Sequence, residues 1–196
     1  MERDDCADEQ CGTGGTKRTD SVTTTDGTGP IEAALGELLT DRGETLAVAE
    51  SLTGGLVGSR VTDVPGASAY FDRGFVTYAY DAKRELLGVS RESLDTEGAV
   101  SAPVAAEMAA GARDRADTTW AVSTTGIAGP EGGSETKPVG LVYVGVAYAA
   151  PWGTGESFVE TERVVLDGDR TSVKHGAVDT ALDTLVESIR HVALQS

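Results

Sequence analysis

Large apolar side chains are almost absent from residues 1–29, then recur with alternating helical and strand periods along the rest of the chain. From Pro30 onward, Ile31, Leu35, Leu38 and Leu39 fall on one helical face, and Gly43 ends the run. TLAVAE (45–50) reads as a short buried strand. Residues from Gly54 to about Thr62 predict a helix with Leu56, Val57 and Val61 inward. VPGAS is a turn, and RGFVTYAY (73–80) is a second strand. Asp81 is positioned to cap a short helix that carries Lys83 and ends near Gly88. PVAAEMAAGARDR, from Pro103 to about Arg115, is alanine-rich and helical, with Ser101 or Ala102 before it. TTWAVSTTG (118–126) predicts a third strand running into the Gly/Pro loop IAGPEGGSETKP. VGLVYVGVAYA (139–149) and SFVETERVVL (157–166), joined by PWGTG, predict an antiparallel hairpin. Asp169 then caps a last helix from about Arg170 to Leu194.

Helices alternate with strands early, and a hairpin closes the sheet late. That order predicts a three-layer α/β/α sandwich with a mixed, mostly parallel sheet of five or six strands. One domain is expected over residues 30–196. Residues 1–29, rich in Asp, Thr, Gly and Ser, cannot bury enough surface to offset the entropy of ordering, and a disordered acidic leader is expected there. No internal repeat is visible.

Charge narrows the range of partners. The chain has 32 Asp and Glu against 16 Lys and Arg, a formal net charge of −16, which repels nucleic acid and anionic membranes alike. Only four basic residues are lysines: Lys17, Lys83, Lys137 and Lys174. An acidic, lysine-poor surface fits a high-salt cytoplasm, where screening removes most of the self-repulsion. No apolar run approaches the roughly 20 residues needed to span a bilayer. The acidic N-terminus is neither a secretory signal nor a basic transit peptide, so a cytoplasmic location is expected. Cys6 and Cys11 both lie in the leader, with no second pair or histidine cluster to complete a metal site. No metal or cofactor is therefore expected, and no thiol nucleophile in the folded part. The hairpin edge around 139–165 needs cover, which a homodimer or a larger ring would supply.

The ligand crevice of an α/β sheet lies at the loops leaving the carboxyl ends of its strands. Three such loops carry hydroxyls, glycines or a lysine: ESLTGG, TYAYDAK and STTGIAGPEGG. Ser51 sits where a helix opens, near free N–H groups and the positive end of the dipole, and Gly54 and Gly55 admit a ligand close to the backbone. Ordinary helix capping by Ser51 or Thr53 has the same features, so both readings stand at this point. A nucleophilic serine needs a base. His175 and His191 belong to the last helix, and no G-x-S-x-G elbow occurs, which leaves Lys83. The helix dipole, and desolvation by neighbours such as Phe75 and Leu86, would favour its neutral amine. A surface lysine is the alternative, although lysines are scarce here. Tyr78 is either a hydrogen-bond donor to this pair or a core aromatic. Thr124, Thr125, Gly126 and Gly129 offer donors for an anion such as a phosphate, with Lys137 adding charge. Glu50 orients a hydroxyl or a substrate amine, or pairs with a basic residue.

Taken together, AESLTGG, VPGASAYFDRGFVTYAYDAKRELLGV, EGAVSAPVAAEMAAGAR and TGIAGPEGGSETKPVGLVYVG resemble the C-terminal domain family of the competence/damage-inducible protein CinA, also found alone as nicotinamide-nucleotide amidohydrolase (PncC). The matching stretches run in the family's order over residues 30–195. The resemblance implies hydrolysis of the carboxamide of nicotinamide mononucleotide to the acid and ammonia. It implies Ser51 as nucleophile, Lys83 as general base and Tyr78 nearby, although Thr53 belongs to the same motif. Many relatives have cysteine where this chain has Leu52, which removes thiol chemistry at that point. Longer members carry an N-terminal domain with a molybdopterin-binding-like fold, expected to be absent here, and its activity is not carried over. A non-catalytic nucleotide-binding or regulatory module of the same fold is the alternative, and DNA binding is opposed by the charge.

Overall fold

The structure, a computed structural model, describes residues 30–195; the leader expected over 1–29, with Cys6 and Cys11, lies outside the described residues. Among these, five apolar segments form one sheet: β1 (Leu46–Glu50), β2 (Phe71–Val76), β3 (Trp120–Gly126), β4 (Leu141–Tyr148) and β5 (Phe158–Val165). Their order is β2-β1-β3-β4-β5. Both β2 and β3 pair parallel with β1, β4 is antiparallel to β3, and β5 is antiparallel to β4. Only β4 therefore opposes the common strand direction. This is the mixed α/β/α sandwich expected from the element order.

Helices cover both faces. One layer holds α1 (Ile31–Arg42), α2 (Leu56–Thr62) and α6 (Arg170–Gln195); the other holds α3 (Tyr80–Leu87), α4 (Arg91–Thr96) and α5 (Ala102–Ala116). Strand alternation separates the two cores. Leu46, Val48, Trp120 and Val122 face the α1/α6 layer, where Val178, Leu182, Leu185 and Ile189 of α6 meet them. Ala47, Ala49 and Ala121 face α5, whose Val104, Met108 and Ala112 pack down on them. Small side chains on both sides let α5 approach the sheet closely. At Gly145 an added Cβ would lie 2.5 Å from the Ala105 carbonyl oxygen, so only glycine fits there.

Local details differ from the sequence expectations in four places. Strand β2 ends at Val76 instead of reaching residue 80, because α3 begins at Tyr80 with Ala79 as its N-cap. Asp81 therefore sits in the first turn of α3, where a carboxylate still favours the dipole but does not cap. Pro30 is the N-cap of α1 and not its first helical residue. Helix α4 was not anticipated: it is six residues long, buries only Leu94, and starts where the Ser90 hydroxyl accepts from the Ser93 N–H. The Asp169 cap is found as expected, accepting from the Ser172 N–H at 2.8 Å. No helix among the described residues is long and apolar enough to cross a membrane.

The strand directions bring four loops to one edge: residues 51–55 after β1, 77–79 after β2, 127–140 after β3 and 166–169 after β5. Helices α3 and α6 begin at this edge, and α5 begins there before running down to β3. Their positive ends thus share the edge that holds the loops. The close seat of α5 is what fixes one wall of that edge. Gly145→Ala is expected to lower unfolding stability by about 2 kcal/mol through overpacking against a backbone that cannot yield, measured by denaturant unfolding.

Candidate active site

Lys83 is the fourth residue of α3 and points inward with Leu87, which leaves its side chain fully buried. Its Nζ lies 2.9 Å from Ser51 Oγ, 2.6 Å from the Thr77 carbonyl oxygen and 3.2 Å from that of Tyr78. No carboxylate pairs with it among the described residues. Three oxygens accept the three N–H groups of the ammonium; once a proton is lost, two N–H groups stay on the carbonyls and the lone pair can accept from the serine hydroxyl. Burial lowers the Lys83 pKa from its ordinary 10.5 to about 8. At neutral pH this gives roughly 300-fold more free amine than an exposed lysine has. Desolvation comes from Thr77, Ser51 and the α5 layer; Leu86, expected to help, faces outward and is exposed, because the phase that buries Lys83 turns Leu86 away.

Ser51 is fixed from below. Its N–H donates to the Thr124 carbonyl at 3.0 Å, which extends the β1–β3 ladder by one step and aims Oγ at α3. Thr53, the other hydroxyl of the motif, is fully buried, and its Oγ1 is 2.7 Å from Thr124 Oγ1. Among the described residues Lys83 reaches Ser51 and not Thr53, so the amine distinguishes the two alcohols. Between them, the Leu52 N–H donates to nothing among the described residues. Leu52 borders the same cavity as Ser51.

Glu50 has a different role from the expected contact with substrate. Strand parity turns it toward α2, where its carboxylate accepts from the N–H groups of Gly55 at 2.8 Å, Val57 at 3.1 Å and Gly58 at 2.9 Å. This is a helix N-terminus capped by the preceding strand. It removes Gly55 as an oxyanion donor, since that N–H is already taken. Gly54 and Gly55 instead supply the left-handed turn, with φ of 63° and 101°, that brings α2 back over Glu50. Neither borders the cavity, but Gly54 lies beside Lys174: a Cβ there would be 3.8 Å from Lys174 Nζ.

The third loop also departs from expectation. Thr124 is taken up by Thr53, and Thr125 Oγ1 donates to the Ala99 carbonyl at 2.7 Å while still lining the cavity. Gly126 lines it too and keeps the strand close to β4, since a Cβ would meet the Leu141 carbonyl at 2.6 Å. Gly129 contributes a carbonyl, which accepts from Arg170 Nη1 at 2.9 Å. Lys137 Nζ donates to the Glu97 carbonyl and holds the loop onto the end of α4. The hydroxyls of Thr124 and Thr125, expected as donors to an anion, are engaged by the fold itself. Tyr78 touches the base through its backbone only; its ring is two-thirds exposed and its hydroxyl lies 3.5 Å from Arg170 Nη2.

These groups enclose a cavity of about 260 Å³ bordered by Ser51, Lys83, Tyr78, Tyr80, Thr125 and Arg170. Larger hollows of about 500 and 660 Å³ lie along β5 and α6, but Glu160 and other carboxylates line them, the Ser188 and Thr184 hydroxyls there donate to Glu160 and Glu162, and no lysine borders either. Chemistry, not size, singles out the candidate site. Tyr80 and Arg170 were missed in the sequence. A cation in the first turn of a helix opposes the macrodipole, and that is the signal that could have found Arg170. Among the described residues no cluster of His, Cys, Asp or Glu is arranged to hold a metal.

Comparison with known proteins gives the family and the fold. A family model described as the CinA C-terminal domain matches residues 28–189. A CinA-like protein of Chloroherpeton thalassium is 49% identical over 158 residues, which cover 81% of this chain and 37% of that protein. A CinA-like protein of Acaryochloris marina is 52% identical over 155 residues, 79% of this chain and 36% of that protein. The chain thus spans little more than a third of the length of these curated relatives. The crystal structure of the competence damage-inducible protein A from Klebsiella pneumoniae superposes with a TM-score of 0.76 at 34% identity, covering 82% of this chain and 96% of that one. A competence/damage inducible protein from Agrobacterium tumefaciens gives 0.74 at 41% identity, covering 82% and 95%.

Two outcomes follow from the buried charges. Glu50→Ala leaves three helix N–H groups without an acceptor and is expected to cost about 3 kcal/mol in denaturant unfolding. The folded pKa of Lys83 lies below its unfolded value, so the unfolded chain binds more protons between about pH 8 and 10.5. Relative to Lys83→Met, the native protein should therefore gain stability as pH rises through that window, on the order of 3 kcal/mol in all. Paired unfolding curves at pH 7.5 and pH 10 measure it.

Proposed function

The chain belongs to the CinA C-terminal domain family, and from that premise we propose that it hydrolyses the carboxamide of a pyridine mononucleotide, nicotinamide mononucleotide, releasing the acid and ammonia. The observation that carries the reading is the 2.9 Å contact between Lys83 Nζ and Ser51 Oγ, with the amine buried and without a counter-ion. A surface lysine has neither the pKa nor the fixed partner that a general base requires.

The neutral amine of Lys83 takes the Ser51 proton as Oγ attacks the amide carbon. The carbonyl oxygen, now an oxyanion, accepts from the free Leu52 N–H, the donor next in sequence to the nucleophile. Lys83 then passes the proton to the departing nitrogen, the C–N bond breaks, and ammonia leaves an ester on Ser51. Water enters along the same line, gives its proton to Lys83 and attacks the ester carbon. The carboxylic acid departs and the serine recovers its hydrogen from the amine. The two carbonyls of Thr77 and Tyr78 hold Nζ in place whether it carries two hydrogens or three. No step calls on a metal or a redox cofactor. The reaction suits a cytoplasmic salvage role, and neither nucleic acid nor a membrane takes part in it.

The test is release of ammonia from nicotinamide mononucleotide by the purified protein in concentrated salt. Ser51→Ala and Lys83→Ala are each expected to reduce kcat by at least 10³-fold, while Thr53→Ser keeps most of it. For the native protein, kcat/KM should rise about tenfold per pH unit below pH 8 and level off above it, following loss of the Lys83 proton. Full activity in Lys83→Ala would overturn the assigned base. Absence of any ammonia, with the mononucleotide still bound, would turn the reading to a nucleotide-binding or regulatory module.

A further inference from the structure

We propose that the Thr77 side chain is a positioning residue for the base: its hydroxyl accepts an N–H of the Lys83 ammonium that forms when Ser51 gives up its proton. The reaction rests on the amidase reading; the placement of the hydroxyl rests on the sheet. The Thr77 N–H donates to the Glu50 carbonyl at 2.8 Å and carries the β1–β2 register, with Glu50 opposite Val76, one step further. The Ser51 N–H does the same toward β3. Thr77, Ser51 and Thr125 therefore stand in one row across three neighbouring strands, about 4.8 Å from one strand to the next. Side chains alternate along a strand, and Ala49, Phe75 and Ala121 pack on the α5 side. An even number of residues further on, all three hydroxyls share that face, and Lys83 lies over it.

Two members of the row have partners. Thr125 Oγ1 donates to the Ala99 carbonyl, and Ser51 Oγ meets Lys83 Nζ. Thr77 Oγ1 is fully buried and without a partner, the only side-chain hydroxyl in that state among the described residues. Valine has the same shape and would spare the interior an unsatisfied hydroxyl, so stability does not account for a threonine here. The chemistry does. At rest the ammonium has three acceptors: Ser51 Oγ and the carbonyls of Thr77 and Tyr78. Once Oγ is bonded to the acyl carbon it is a poor acceptor, and the proton that Nζ took from it must turn toward the departing nitrogen. During that turn one N–H loses its acceptor. Thr77 Oγ1 belongs to the residue whose carbonyl already lies 2.6 Å from Nζ, and it has no bond of its own to give up as it rotates toward the charge. No proton passes to it; each N–H stays on Nζ until the amide nitrogen, and later Ser51, takes one. A hydrogen bond made only while the charged intermediates exist raises kcat and leaves substrate binding alone.

The experiment compares the native protein, Thr77→Val and Thr77→Ser in steady-state hydrolysis of nicotinamide mononucleotide and in denaturant unfolding. Thr77→Val is expected to lower kcat about tenfold or more with KM nearly unchanged. Its unfolding midpoint should equal or exceed the native one, and Thr77→Ser should restore most of kcat. An unchanged kcat in Thr77→Val, or a loss that Thr77→Ser does not restore, would overturn the assignment. A titration that needs no hydrolysis stands apart from the amidase reading. In Ser51→Ala the resting ammonium lacks its hydroxyl acceptor, so Thr77 should already serve it. The chain has four lysines, and NMR titration of their Cε signals follows Lys83 directly. Adding Thr77→Val to Ser51→Ala should lower the Lys83 midpoint by about one pH unit, a tenfold change in proton affinity. Equal midpoints would sink the hydrogen bond even with amide hydrolysis established. Should no amide be hydrolysed at all, the amidase reading fails, and this titration alone decides the part played by Thr77.

Discussion

A buried amine that has no carboxylate for company sets the terms for everything around it. Placing an ammonium in a low-dielectric interior costs several kcal/mol unless the proton is shed or the hydrogens are satisfied. Lys83 is accommodated in both ways at once: burial brings its pKa to about 8, and three oxygens surround Nζ. A salt bridge would have satisfied the charge better and destroyed the base, by holding the proton on. The fold uses neutral acceptors instead, and it must therefore free two carbonyls from the sheet. That is why β2 stops at Val76 and the chain turns at Thr77 and Tyr78 before α3 begins.

The remaining parts of the site are held by the same economy of polar groups. Glu50 ties the end of β1 to the start of α2, so the loop that carries Ser51 cannot drift. Thr53 and Thr124 join the first and third loops across a buried hydrogen bond. Thr125 reaches the Ala99 carbonyl and fastens the start of α5 to β3. Each of these side chains serves geometry, whereas the hydroxyl of Ser51 meets the Lys83 amine. The proposal of Ser51 over Thr53 as nucleophile rests on that difference in partners.

Much of this was legible in the sequence. Alternation and turn residues gave the layers, and the scarcity of lysine made Lys83 conspicuous. The roles of Glu50, Thr124 and Lys137 were not legible, because a polar residue in a loop reads the same whether it faces a ligand or another part of the fold, 5 to 8 residues away for Glu50, 40 for Lys137 and 71 for Thr124. Only coordinates separate the two. Helix α4 escaped because six residues with one inward leucine carry no measurable period. Arg170 escaped because its loop follows β5, which the hairpin pattern presented as an edge far from the chemistry; strand order returns it to the same end as β1.

The distribution of lysines has a kinetic consequence. Lys83, Lys137 and Lys174 all lie at the end of the sheet where the four loops meet, in a chain whose carboxylates outnumber its cations 32 to 16. An anionic molecule diffusing up to this protein meets net repulsion, offset locally where these lysines gather. The charge that excludes polyanions thus works as a guide for a small one, and raising the ionic strength dims the guide without altering the catalytic groups.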